Sequence, residues 1–327
     1  FVSDRAFGTL NLFKYDVKTA QVAQLTDYRD YDVKNPSLGP GAIIYQYAES
    51  LYVLDLKTGK PRKLDIAIPT DLVKMRASYV SPTGTTGSFG LSPSGTRMLL
   101  ETRGEIVNVP VKQGEPVNLT SSSGSREKHA AWSPDARWIA FLSDKTGEEE
   151  VYLVDQKAEQ PWKQLTKDGL GCRLQLAWSP DSKWLLFSDK FMKLNLVNAE
   201  TGELTVVDQG EYDDGWERWG IQDYVWSPDN NWIAYAKQVQ NMNQVVYLYS
   251  LAEKKIHPVT TDMTQSWSPS FDSQGRYLYI LSERTFDPTM SFVDQQHVYL
   301  DMCRPYVVLL KEGAASPFAP QDSEEAV

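Results

Sequence analysis

The stretch AWSPDARWIAF (131–141) decides the fold, because it recurs along the chain. Related versions stand at GLSPSGTRMLL (90–100), AWSPDSKWLLF (177–187), VWSPDNNWIAY (225–235) and SFDSQGRYLYI (270–280). With Leu91, Trp132, Trp178, Trp226 and Phe271 taken as equivalent, the intervals are 41, 46, 48 and 45 residues. Self-similarity at a period of about 40–50 residues marks a repeated four-stranded sheet. Each copy reads strand, turn, strand. Pro134, Pro180 and Pro228 preset φ at the second turn position, and Asp135, Asp181 and Asp229 can bond their own backbone. Asn230 tolerates the left-handed conformation that Gly95 and Gly275 adopt at no cost. Behind the turn, runs such as Trp138-Ile139-Ala140-Phe141 have the β-branched and aromatic character of strands.

A second hairpin comes after each copy: EIVNVPVKQGEPVNLT (105–120), EVYLVDQKAEQPWKQLT (150–166), KLNLVNAETGELTVVD (193–208) and VYLYSLAEKKIHPVTTD (246–262). Two more lie upstream, NLFKYDVKTAQVAQLTD (11–27) and LYVLDLKTGKPRKLDI (51–66). No segment carries a sustained helical period. The expected fold is therefore all-β, a β-propeller of seven repeated four-stranded blades with incomplete terminal units. A lone sheet cannot bury both apolar faces, so it stacks on like neighbours, and radial closure leaves only short edges. Trp132, Trp138, Trp178, Trp184, Trp226 and Trp232 are expected to pack between blades.

Two organisations fit the pattern. In the first, residues 1–67 are two trailing blades of one propeller, 68–87 a linker containing VSPTGTTGS (80–88), 88–318 five blades of a second propeller, and 319–327 a disordered tail. In the other, 1–318 form one seven-bladed ring. The chain opens on Phe1 in mid-pattern, so an N-terminal portion is expected to be missing, and the compartment, cytoplasmic or periplasmic, stays open. The net charge of −10 over 327 residues argues against nucleic-acid partners and anionic membranes, and no apolar run approaches a membrane span.

The sequence holds no recognisable catalytic set. There is no G-x-S-x-G elbow, and His129, His257 and His297 lack a nucleophile in a recognisable local setting. His129 reads as part of a solvated loop, His257 as a surface residue of an outer strand, and Glu148-Glu149-Glu150 as a solvated hairpin tip. Cys172 and Cys303 give neither a disulfide framework nor metal spacing. No metal or cofactor is indicated. One feature rises above this background, the loop EYDDGWERWG (211–220). Loops between consecutive blades surround one mouth of a propeller channel, so Tyr212, Asp213, Asp214, Trp216 and Arg218 are the candidate peptide contacts. The insertion 284–304, with Phe286, Met290, Phe292 and Tyr299, is expected to dock a neighbouring domain or cover an edge.

The segments FVSDRAFGTLNLFKYD (1–16), SFGLSPSGTRMLLETRGEIVNVP (88–110), AWSPDARWIAFLSDKTGEEEVYL (131–153), SERTFDPT (282–289) and PYVVLLKEGAASPFAP (305–320) together resemble the propeller region of tricorn-type proteases. The Ser-Pro-Asp repeats alone also resemble TolB-type propellers. The first resemblance covers essentially the whole chain. It implies a six-bladed propeller, a seven-bladed one, then PDZ-like and catalytic domains with a serine nucleophile. Residues 1–67 then resemble the end of the first propeller. The family's catalytic residues would lie beyond Val327, so none is carried over. The resemblance thus implies a non-catalytic region that guides peptides or unfolded polypeptide, docks the catalytic domains and belongs to a homo-oligomer. The alternative is a self-standing, TolB-like, protein-binding propeller.

Overall fold

The computed structural model describes residues 1–71, 73, 76, 78, 81, 84–169, 171–212, 220–291 and 296–319. Among them there is no α-helix, and every sheet is antiparallel. The chain divides into two compact units, Phe1–Tyr79 and Val80–Val327.

In the first unit, β1 (Val2–Ser3), β2 (Asn11–Asp16) and β3 (Gln21–Gln24) form one sheet. A second contains β4 (Val33–Gly39), β5 (Ala42–Tyr47), β6 (Ser50–Asp55) and β7 (Pro61–Lys63). Leu12, Val33, Tyr45 and Leu54 make the core between them. Burial pushes the Tyr45 phenol far above its ordinary range, and its hydroxyl is satisfied by that of Tyr28 at 2.8 Å.

In the second unit, β8 (Thr86–Leu91), β9 (Arg97–Thr102), β10 (Glu105–Pro110) and β11 (Val117–Asn118) form the first sheet. The next contains β12 (Glu127–Trp132), β13 (Ile139–Ser143), β14 (Glu150–Val154) and β15 (Lys163–Gln164). Then come β16 (Ala177–Trp178), β17 (Trp184–Ser188), β18 (Lys193–Asn198) and β19 (Leu204–Gln209). The fourth sheet holds β20 (Ile221–Trp226), β21 (Trp232–Gln238), β22 (Gln244–Ser250) and β23 (Lys255–Pro258). The last begins with β24 (Ser266–Phe271) and β25 (Tyr277–Glu283), is interrupted by the hairpin β26 (Pro288–Met290) and β27 (His297–Tyr299), and ends with β28 (Cys303–Leu309). The first strands β8, β12, β16, β20 and β24 touch in series.

The sheets are held to one another by alternation. In β13, Ala140 and Leu142 join Trp178, Leu185 and Phe187 of the following sheet, whereas Ile139 and Phe141 join Leu99, Ile106 and Leu119 of the preceding one. In β17, Leu185 and Phe187 face back and Leu186 faces forward to Trp226 and Tyr235. Both faces are buried, which is why these strands read as unbroken apolar runs. The indole N–H groups then cross between sheets: Trp178 donates to the Ala131 carbonyl at 3.1 Å and Trp226 to that of Ala177 at 3.3 Å.

The repeated turn is a small hydrogen-bond machine. Ser133, Ser179 and Ser227 donate to Asp135, Asp181 and Asp229 at 2.6, 2.6 and 2.5 Å. The same hydroxyls accept the backbone N–H of Trp138, Trp184 and Trp232 at 2.9, 3.0 and 2.9 Å. Burial alone would raise the Asp181 and Asp229 carboxyls, but these donors outweigh it and hold both below the ordinary range. Ser182 and Asn230, at φ +61° and +62°, reach back to the Asp135 and Asp181 amides of the preceding turn, both at 3.0 Å. The Leu-Thr ending has an equal purpose. Buried Thr26, Thr120, Thr166 and Thr260 accept the N–H of Leu12, Ile106, Val151 and Val246 at 2.9–3.0 Å, tying the outer end of these four sheets to the strand beside their outermost one.

Trp132 occupies the position of Trp178 and Trp226, yet its buried indole N–H has no acceptor among the described residues. A buried donor without a partner costs roughly what a hydrogen bond gains. Trp178→Phe should therefore cost about 1–2 kcal/mol more than Trp132→Phe in urea unfolding. Equal costs would show that the indole N–H bonds contribute nothing.

Candidate binding channel

The first strands are not regular. Their register slips between Lys34 and Ser37, Thr86 and Phe89, Lys128 and Ala131, Gln222 and Val225, and Trp267 and Ser270. Inside four of these bulges a residue other than glycine is left-handed: Asn35 (φ +52°), His129 (+54°), Asp223 (+55°) and Ser268 (+50°). A bulge re-aims a side chain, and such conformations carry strain that concentrates at functional sites. Each stands three positions before the residue equivalent to Trp132, and in the remaining sheets of the second unit Ser88 and Gln175 hold that place.

The result is a polar lining. Ser88, His129, Leu174, Gln175, Ser188, Gln222, Asp223 and Tyr224 surround a cavity of about 360 Å³ drawn from four consecutive sheets. Glu101 fixes one side, accepting the Ser88 hydroxyl at 2.7 Å and the His129 N–H at 3.1 Å. A Cβ on Gly87 would sit 2.7 Å from that carboxylate, so a larger residue there would have to displace it. Burial alone would raise Glu101, but the bonds from Ser88 and the His129 amide prevail and hold it below the ordinary range. On the other side, Asp223 accepts the Ser268 N–H at 2.9 Å. Tyr224 donates to the Gln175 carbonyl and accepts the Ser188 N–H at 3.2 Å. Burial pushes its phenol up to about 12. Burial, helped by the Lys128 charge, lowers His129 against the pull of Glu101 and Glu149.

Two sequence expectations need correction here. His129 is not on a solvated loop: it belongs to β12 and is half-buried against the cavity. The run Glu148-Glu149-Glu150 is not a solvated tip either. Only Glu148 is exposed, Glu149 pairs with Lys128 at 2.7 Å, and Glu150 is 2% exposed. Glu150 accepts the Gly169 N–H at 2.6 Å and pairs with buried Arg173 at 2.9 Å. Arg173 also meets Asp168 and donates Nε to the Glu149 carbonyl at 2.6 Å. The run is drawn inward because the loop 167–173 has backbone donors and a buried guanidinium that need acceptors. Glu127, wholly buried, is met by Ser122, by Ser125 at 2.6 Å and by Ser143 at 2.8 Å. These carboxylates are fully engaged in holding the fold. His257 lies on outer β23, 3.5 Å from the Glu253 carboxylate. Among the described residues, no group of His, Cys, Asp or Glu is placed to hold a metal ion.

Of the candidate contacts, Tyr212 is half-buried in the connection after β19, while Asp213, Asp214, Trp216 and Arg218 lie outside the described residues. The two ends of that loop meet: a Cβ on Gly210 would lie 3.6 Å from Gly220, and one on Gly220 would collide with Met192. The cavity residues Ser88, Gln175 and Asp223, and Ser268 bonded to Asp223, carry no motif that marks them in the sequence. Their common distance from the repeat anchor was the available signal.

Antiparallel sheets in series, with first strands abutting and a polar cavity beside them, define a β-propeller. The chain belongs to the family described as the Tricorn protease second beta propeller domain, whose model matches residues 86–327. It is 27% identical over 310 residues to a tricorn protease homolog of Saccharolobus solfataricus, covering 95% of this chain and 27% of the relative. To the tricorn protease of Thermoplasma volcanium it is 25% identical over 327 residues, covering 97% of this chain and 30% of that one. The crystal structure of the tricorn protease superposes with a TM-score of 0.65 at 19% identity, over 97% of this chain and 30% of that chain. The chain thus spans about a third of the length of these relatives.

The lowered His129 gives a pH test. Because the unfolded chain takes up this proton first, the contribution is complete above the ordinary value of 6.5 and declines as the pH falls below it. His129→Gln should lose less Tm than the parent between about pH 7 and pH 5.5. Parallel losses would show that His129 titrates alike in the folded and unfolded chain.

Proposed function

We propose that this chain is a non-catalytic propeller region of a tricorn-like serine peptidase, and that its channel guides extended peptides or unfolded polypeptide toward catalytic domains elsewhere in the parent. The observation that carries the reading is the set of polar side chains at one register, Ser88, His129, Gln175 and Asp223, around a single cavity. Neutral hydroxyl, amide and imidazole groups can exchange hydrogen bonds with a passing main chain without selecting one side chain. Tyr212, Asp213, Asp214, Trp216 and Arg218 would then meet the peptide at the mouth. In this reading residues 1–67 are the end of a preceding propeller, 68–87 link it to the five blades of 88–318, and the insertion 284–304 docks a neighbouring domain of a homo-oligomeric parent.

A photo-crosslinking amino acid placed at Gln175 tests the channel. It should label an unstructured peptide in a way that excess unlabelled peptide suppresses, while the same group at exposed Glu253 on the outer rim should not. Equal labelling at both positions would contradict the reading.

A further inference from the structure

A second cavity with a chemical character of its own lies away from the channel. It is a groove of about 930 Å³ between the outer strands of two successive sheets. Its walls are the end of β11, through Asn118, Thr120 and Ser121, and β15 with the connection before it, through Lys157, Gln160, Trp162 and Gln164. Lys145 and Thr146 stand at one end. β11 and β15 have only two residues each, whereas the next two outer strands, β19 and β23, have six and four. The groove occupies the space that longer outer strands would fill, and it leaves edge backbone facing inward.

A buried unpaired hydroxyl and an exposed cation converge on the same indole. Tyr152 is 4% exposed and lines the groove, and its buried hydroxyl has no hydrogen-bond partner among the described residues. The Tyr152 ring lies 5.8 Å from that of Trp162, edge to face. Other buried phenols are bonded: Tyr45 to Tyr28 at 2.8 Å, Tyr235 to Asp208 at 2.7 Å and Tyr224 to the Ser188 N–H at 3.2 Å. On the same indole, the Lys145 ammonium sits 4.4 Å from the ring centroid. Among the described residues no carboxylate stands within ion-pair distance of Lys145, in a chain whose net charge is −10. A cation held only by a ring face, beside a buried donor without an acceptor, is poised for an anionic acceptor.

We propose that this groove binds an extended peptide through a carboxylate, with Lys145 pairing its charge, the Tyr152 hydroxyl donating to it as the half-buried Trp162 moves aside, and the edge of β15 meeting the peptide main chain. Peptide is the occupant because the groove is lined by the amide side chains Asn118, Gln160 and Gln164 and is flanked by the edge strands β11 and β15, which offer main-chain pairing. The site is independent of the channel reading.

Isothermal titration calorimetry on the whole chain tests it with three short acetylated peptides of alanine, serine and proline. One has a free C-terminal carboxylate, the second a C-terminal amide, and the third an amide with one central glutamate. The plain amide should bind more weakly than at least one of the acids, and Lys145→Met should leave its binding unchanged, because any hold on it comes from the channel rather than the groove. Binding of the free acid identifies the terminal carboxylate as the ligand, and binding of the glutamate peptide identifies a side chain. In either case Lys145→Met should lower affinity about tenfold and Tyr152→Phe several-fold, in line with the loss of one charge-assisted contact and one hydrogen bond. Tyr152→Phe removes an unpaired buried hydroxyl, so its Tm should stay level or rise, which separates lost binding from lost folding. Glu253→Gln on the exposed outer rim, outside both the groove and the channel, should leave the affinity unchanged. Absence of saturable binding at millimolar peptide, equal binding of the plain amide, or unchanged affinity in either groove variant would overturn the proposal.

Discussion

Everything in the second unit depends on each sheet giving both of its faces to neighbours. A strand such as β13 has all five residues buried, and alternate side chains enter two different cores. No sheet of this kind can be stable alone, because one face would expose a row of leucine, isoleucine and phenylalanine to water. The indoles of Trp178 and Trp226 cross to the preceding first strand and fix the spacing. Turn residues Ser182 and Asn230 repeat the link at the edge of the sheets. Packing, indole bond and turn bond therefore act between the same pairs of sheets.

The bulges arise from that arrangement. First strands that abut in series need strong local twist, and a bulge supplies it. In β8, β12 and β20 the same irregularity falls at Ser88, His129 and Asp223 beside the cavity, so a structural requirement of the stack also contributes to the polar lining. Glu101, Asp223 and Tyr224 hold those bulges by bonding their backbone rather than by facing the solvent. Buried Glu127 at the start of β12, Glu150 at the start of β14 and Arg173 are likewise bonded within the fold, to serine hydroxyls and to one another's loops.

The repeat made the fold legible. The Ser-Pro-Asp turns, the anchor tryptophans and the Leu-Thr endings all have the roles their chemistry suggests, because each is local or recurs at a fixed interval. The resemblance carried by the longer segments is matched by the family assignment of residues 86–327. The site was less legible. His129 reads as a loop residue because a bulge has no hydropathy signature of its own, and Glu149 and Glu150 read as solvated because their partners, Lys128 and Arg173, come from other parts of the chain. The groove beside Tyr152 was invisible for a different reason. It arises from the shortness of β11 and β15, which depends on how the strands pair rather than on any one residue.

The central claim is that neighbouring sheets complete one another's cores, and native-state hydrogen exchange tests it most directly. Amides of β13, β14, β17 and β18 should exchange with one common opening free energy, and Trp178→Ala should lower that energy for both sheets together. If the two sheets opened at separate energies, or if Trp178→Ala affected only β16 to β19, the shared cores would not be what holds this structure.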